Sequence, residues 1–269
     1  MRKAMPAACD RPFILAICGA QGSGKSTLSD ALARSMRAGG TSTAILSIDD
    51  IYLTKAERKA LARDVHPLFA VRGAPGTHDV ALGREIIGAL RSGRGARLPR
   101  FDKARDDRAP ESAWDEAAPD TALLILEGWC VAARPQDEAA LVEPVNDLER
   151  VEDGDGRWRR AVNAALAADY AALFAPIDML VLLAAPDFEV VRDWRIEQEH
   201  KLARSAGAGA EDVMTDAEVE RFIRFYERLT RHILVEMPDR ADLVIHLARD
   251  RTPLSITERQ RGDGGISHV

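Results

Sequence analysis

The segment Gly19-Ala20-Gln21-Gly22-Ser23-Gly24-Lys25-Ser26 matches G-x-x-x-x-G-K-[ST] in full. Its residue types suit one task, holding a polyphosphate. Glycines let the backbone curl until its N–H groups converge on phosphate oxygens. A helix starting at Lys25 adds the positive end of its dipole. The Lys25 ammonium reaches β- and γ-phosphates, and the Ser26 hydroxyl suits Mg²⁺. Gly19, Gln21, Gly22, Ser23, Gly24, Lys25, Ser26 and Thr27 are therefore the candidate cradle for ATP or a related triphosphate. The motif alone does not separate phosphotransfer to an acceptor from hydrolysis.

Two acidic residues close apolar runs. One run ends in Ser47-Ile48-Asp49-Asp50-Ile51-Tyr52, another in Leu126-Glu127-Gly128. Ligands of open α/β sheets sit beyond the carboxyl ends of the strands. If the second strand neighbours the first, Asp49 lies near the γ-phosphate. There it can take the proton of an attacking hydroxyl, or hold Mg²⁺ through water. Glu127 occupies a Walker-B-like position suited to the metal shell with Ser26. The plainer readings are a turn capped by Asp49 and Asp50 and a solvated charge at Glu127.

Between the second and third apolar runs lie Arg72, His78, Asp79, Arg100, Asp102, Lys103 and Arg108. Guanidinium groups there can clamp a carboxylate, and Asp79 and Asp102 can hydrogen-bond hydroxyls. A small hydroxy acid fits this mix, while a solvated charged loop is the plain alternative. His78 is also placed to cap the following helix. Asn146 and residues 153–156 sit in an acidic stretch with an open pocket role. Residues 190–204 carry Arg192, Asp193, Arg195, Glu197, Glu199, Lys201 and Arg204. A helix bearing Arg192 and Arg195 on one face can close over a triphosphate, with Gly207 and Gly209 as flexible points. An exposed, salt-bridged helix is the alternative.

The elements that must position these groups are legible. Apolar runs at 13–18, 44–48, 122–126, 179–183 and 243–247 read as buried parallel strands. Helical patterns follow the phosphate loop and begin near His78-Asp79, at 157–174, and after two capping boxes, Thr54 with Glu57 and Thr215 with Glu218. Alternation of the two predicts an α/β fold, a doubly wound parallel sheet of about five strands with helices on both faces. Residues 1–269 read as a single domain, with an acceptor-binding insert over about 53–120 and a lid over about 187–215. Residues 92–120 are the longest stretch without clear periodicity. Topology points to 249–253 for the adenine.

Composition narrows the class. The net charge is −6 and there is no basic tail, which argues against nucleic acid as a partner. No apolar run reaches a membrane span. Three cysteines, Cys9, Cys18 and Cys130, form no metal-ligand spacing and no even disulfide set, so a cytoplasmic, reducing setting is expected. His66, His200, His232, His246 and His268 are scattered and suggest no metal site. A guanine-reading Asn-Lys-x-Asp is missing.

The loop, the Asp49–Tyr52 turn and the Glu127 strand end resemble the superfamily of uridine kinase, phosphoribulokinase and pantothenate kinase. The segments Arg72-Gly73-Ala74-Pro75-Gly76-Thr77-His78-Asp79, Leu98-Pro99-Arg100-Phe101-Asp102-Lys103 and Trp194-Arg195 through Gln198-Glu199 are similar to the plant-type D-glycerate 3-kinase group and its bacterial relatives. The resemblance implies a P-loop kinase using ATP and Mg²⁺, with Asp49 as base and Glu127 in the metal shell. It implies an acceptor pocket from residues 72–79 and 99–108, to which Tyr52 belongs, and a lid carrying Arg192 and Arg195. D-glycerate is the first acceptor expected. A pantothenate-like or nucleoside acceptor, a regulatory NTPase switch and a binding protein without turnover remain the rivals.

Overall fold

The computed structural model describes residues 11–206, 214–259 and 266–268. Cys9, Gly207 and Gly209 lie outside them, as do the side chains of Lys201, Arg204 and His268. The first strand, β1 (Phe13–Gly19), runs into the phosphate loop, and α1 (Lys25–Ala38) leads away to β2 (Thr43–Ser47). The chain then builds α2 (Lys55–Asp64) and α3 (Val80–Arg91). Short strands follow: β3 (Ala96–Leu98), β4 (Phe101–Asp102), β5 (Asp107–Arg108) and β6 (Asp115–Ala117). They pair as two small antiparallel ribbons, β3 with β6 and β4 with β5. The stretch without periodicity is therefore structured, in strands too short to show alternation.

The core resumes with β7 (Leu123–Gly128), then α4 (Asp147–Glu152), α5 (Arg157–Ala165) and α6 (Ala171–Phe174). A π-helical turn, Leu166–Tyr170, joins α5 to α6. Next come β8 (Met179–Ala184), α7 (Phe188–Ala206), α8 (Asp216–Glu236) and β9 (Leu243–Leu247). Two further strands, β10 (Pro253–Arg259) and β11 (Ile266–His268), extend the sheet edge antiparallel. The five expected strands form the parallel part, and the full order is β11-β10-β9-β8-β1-β7-β2.

The condition set for Asp49 is met in another way. The second strand does not neighbour the first, because β7 pairs with both β1 and β2 and lies between them. Asp49 still reaches the site, since Glu127 aligns with Ile17 on one side and Ser47 on the other. The carboxyl ends of the three strands therefore open at one level.

Period-two alternation divides the sheet between two cores. Phe13, Leu15 and Ile17 join Leu123 and Ile125 against Ala33 and Met36 of α1. Ile14, Ala16 and Cys18 face the larger core with Leu124, Leu126 and residues of α3, α5 and α8. Both faces are apolar because both are covered. Both capping boxes form, and Asp79, rather than His78, caps α3 by accepting the Leu82 N–H at 3.0 Å. None of the described helices is long and apolar enough to cross a membrane.

Candidate active site

The phosphate loop leaves its helix end open. No side chain caps α1, and Gly24 is left-handed at φ +90° with open space where a Cβ would stand. Gly22 is left-handed too, at φ +76°, and an added Cβ would lie 2.8 Å from the Trp194 Cβ. Glycine is required there because α7 rests directly on the loop. Buried Gln21 Oε1 and Ser23 Oγ have no hydrogen-bond partner, an arrangement that asks for a ligand.

Ser26 donates to Glu127 Oε1 at 3.1 Å. The other carboxylate oxygen, Oε2, is buried and unpartnered. Burial pushes the Glu127 carboxyl up, against the pull of Lys25 and with a further push from Asp49. An all-oxygen set with one unmet buried anion fits Mg²⁺, and Ser26 and Glu127 are the residues that would hold it.

Asp49 follows β2 in a short 3₁₀ turn, where the Ser47 hydroxyl accepts its N–H at 3.3 Å. Its Oδ2 receives Lys103 Nζ at 3.0 Å and its Oδ1 the Tyr52 hydroxyl at 3.0 Å. Burial alone would raise the Asp49 carboxyl, but Lys103 and Lys25 outweigh it and hold it at about 2. Tyr52 titrates well above its usual range, raised by burial and by Asp49, so it remains a donor. Both oxygens are thus engaged by donors, and the Asp49 carboxylate is held ionised beside the phosphate loop.

Of the expected acceptor residues, the fold gathers Tyr52, Arg72, His78, Asp79, Lys103 and Arg108. Tyr52 stacks on His78 with ring centroids 4.5 Å apart and meets the edge of Phe101 at 5.2 Å. Arg72 lies over the Phe101 ring and pairs with Asp106. Arg108 donates to Asp79 at 3.0 Å and to the Tyr52 carbonyl at 2.9 Å, while its buried Nε has no partner.

Two expected residues serve the scaffold instead. Arg100 is shared between Asp50 and Asp115. Asp50 also accepts the Phe101 N–H at 3.1 Å, so this pair ties the insert to the end of β2. Asp102 closes its own turn by accepting from Ala104 and Arg105 N–H. Asn146 caps α4, and Asp153 is a buried partner of Arg159 at 2.9 Å, so neither lines a pocket.

The helix expected as a lid also differs. Arg192 is half-exposed beside Asp193 and Glu220. Arg195 pairs with Glu199 and lies over Phe222 at 5.5 Å. Both therefore face α8, and the α7 residue on the loop is Trp194. A cation missed as a loop contact approaches from elsewhere. Arg251, at φ +70°, donates to the Gly22 carbonyl at 2.7 Å, pairs with Glu197 at 2.7 Å and covers the Trp194 ring. It lies in the 249–253 segment to which topology pointed for the adenine, but its contact with the loop spans more than two hundred residues and is not legible in the sequence.

Arg58 and Tyr170 were missed for the same reason. Arg58 is fully buried and holds the carbonyls of Leu53, Ala70 and Asp106, fixing the insert. Tyr170 hydrogen-bonds His78 Nδ1. Cys18 and Cys130 are inert, because burial pushes Cys18 up to about 12 and Cys130 well above its usual value.

Among the described residues, His66, Asp153 and Asp155 bring ligand atoms within 4.8 Å of one another. The chemistry opposes a metal there. His66 Nδ1 accepts the Leu68 N–H, which leaves the proton on Nε2, and Asp153 is taken by Arg159 and the Trp158 N–H.

The sequence model of the Phosphoribulokinase / Uridine kinase family matches residues 14–142. An uncharacterised kinase of Schizosaccharomyces pombe, mug58, is 37% identical over 230 residues, covering 80% of this chain and 79% of its own. The chloroplastic D-glycerate 3-kinase of Arabidopsis thaliana is 29% identical over 260 residues, 90% of this chain and 54% of that one. The solved D-glycerate 3-kinase of Cryptococcus neoformans superposes with a TM-score of 0.77 at 25% identity, over 94% of this chain and 92% of that one.

Proposed function

Starting from a chain that belongs to the phosphoribulokinase/uridine kinase family, we propose that this kinase transfers the γ-phosphoryl of MgATP to a hydroxyl of D-glycerate, giving 3-phosphoglycerate. The observation that carries the reading is the Asp49–Lys103 pair. An ionised carboxylate and a largely exposed ammonium stand 3.0 Å apart beside the phosphate lysine. The likeness to two D-glycerate 3-kinases supports the choice of acceptor.

Each residue then has one task. The loop N–H groups and Lys25 hold the triphosphate. Mg²⁺, held by Ser26 and Glu127, would screen charge on the β- and γ-phosphates. Arg72, Arg108 and Lys103 take the acceptor carboxylate. Asp49 accepts the hydroxyl proton as the acceptor oxygen bonds to Pγ and the bond from Pγ to the β-bridging oxygen breaks, releasing ADP. Phosphoryl transfer is loose, so the proton leaves late and a weak base suffices. The acceptor carboxylate also competes with Asp49 for Lys103, and its capture of Lys103 makes Asp49 more basic.

ADP release with MgATP tests this, comparing no acceptor with D-glycerate, L-glycerate, pantothenate and uridine. Turnover is expected with D-glycerate alone, falling about 10²–10⁴-fold in Asp49→Asn while ATP binding persists. Turnover independent of any acceptor sinks the reading in favour of a nucleotide switch. A response to pantothenate or uridine instead replaces the acceptor.

A further inference from the structure

His78 is the most constrained side chain near Asp49 that the reaction above leaves without a task. It is 4% exposed and its Nε2 is buried with no partner. Its ring stacks on Tyr52, whose hydroxyl holds Asp49.

The hydrogen-bond chain behind it sets its tautomer. The Gly76 N–H donates to the Tyr170 hydroxyl at 3.0 Å. That oxygen has one hydrogen of its own, its two lone pairs meet the backbone N–H groups of Gly76 and His78, and its remaining neighbour is His78 Nδ1. Tyr170 therefore donates and Nδ1 accepts. Burial holds the imidazole neutral, lowered to about 3 against the opposing pull of Asp49. The single ring hydrogen must then sit on Nε2, as a buried donor with nothing to meet. Such a group is costly unless a ligand completes it.

Tyr170 is delivered to this place by the π-helical turn Leu166–Tyr170. One extra residue in that turn shifts the register of the helix from α5 into α6, a device common where a side chain must be re-aimed.

We infer that His78 donates a hydrogen bond from Nε2 to an oxygen of the acceptor, and that Tyr170 is the positioning residue that keeps the hydrogen on that nitrogen. The inference rests on the small-acceptor reading of this site. It adds a specificity element: the site rejects an analogue with no acceptor oxygen at that point, because Nε2–H is then left unmet.

The experiment has two arms. In the first, ¹⁵N-histidine spectra of the ligand-free protein give the tautomer of His78, assigned by the signal lost in His78→Gln. The wild type is expected as Nε2–H, and Tyr170→Phe as a mixture with Nδ1–H. In the second, KM for D-glycerate and for ATP are compared. His78→Phe keeps the stacked ring and loses the donor. It is expected to raise the acceptor KM about 10- to 100-fold with ATP KM unchanged. His78→Gln restores an N–H near the same point and is expected to recover most of the loss.

A protonated or Nδ1–H His78 in the wild type, an unmoved tautomer in Tyr170→Phe, or an unmoved acceptor KM in His78→Phe overturns the inference. If D-glycerate gives no wild-type turnover, the preceding acceptor assignment falls instead. The tautomer arm needs no acceptor, and the KM arm then runs with whichever of the four compounds is turned over.

Discussion

Replacing Lys103 with Met removes the charge that holds the proposed base ionised and keeps most of the stem. The side chain is 62% exposed, so the fold tolerates the change. The ammonium stands 3.0 Å from Asp49 Oδ2. At an effective dielectric of about 20 the bare attraction is about 5 kcal/mol, and solvent around so exposed a lysine reduces it. An opposite charge this close typically lowers a carboxyl by about 1 to 3 pH units. Asp49 now sits at about 2, against an ordinary 3.8. Without Lys103 the burial that raises it is opposed mainly by Lys25, so the Asp49 titration should move up to about 4 or 5. The sign is clear: the ionised form is the active one, so activity is lost as pH falls through that value. The wild-type limb lies below the working range and its kcat/KM should be insensitive to Asp49 above about pH 4. For Lys103→Met, kcat/KM at pH 4 should drop about two- to tenfold relative to pH 7 after normalising to the wild type. Initial rates from pH 4 to 8, with circular dichroism confirming the fold, measure this. Superimposable profiles would refute the claim that Lys103 sets the charge of Asp49.

Gly22→Ala should destabilise the protein by roughly 1–3 kcal/mol, because the new Cβ meets Trp194 and φ is positive; thermal melts with and without MgATP should show a lower Tm and a smaller nucleotide shift. Arg251→Ala removes the bond to the Gly22 carbonyl and the ion pair with Glu197, and should raise the ATP KM about fivefold to tenfold with little change in acceptor KM; equal changes in both would contradict a role at the loop. Glu149 is fully buried and takes two bonds from Arg228, at 2.8 and 2.6 Å. Glu149→Leu strands that guanidinium and should cost roughly 3–5 kcal/mol, seen as a Tm drop of about 6–20 °C.

The local parts of this protein were legible in its sequence because they are written in neighbouring residues. Five apolar runs, two capping boxes and an eight-residue phosphate loop depend on contacts within a strand, a turn or a helix end. The residue pair Asp49 and Glu127 could be picked out because strand ends are visible as the edges of apolar runs. What brought them to one level was the insertion of β7 between β1 and β2, and strand order is not encoded in periodicity. The charged insert shows the same division. Its sequence displays seven polar candidates, yet only long-range pairing separates Arg100, neutralised by Asp50 and Asp115, from Lys103, which reaches Asp49. Arg58 and Tyr170 were invisible, and Arg251 was marked only through its segment, for one reason: each acts on backbone or side chains brought close only by folding. Local sequence determined the elements and the chemistry available at their ends. The tertiary structure decided which charges are cancelled and which are left facing the site, since that depends on distances that only the packed chain establishes.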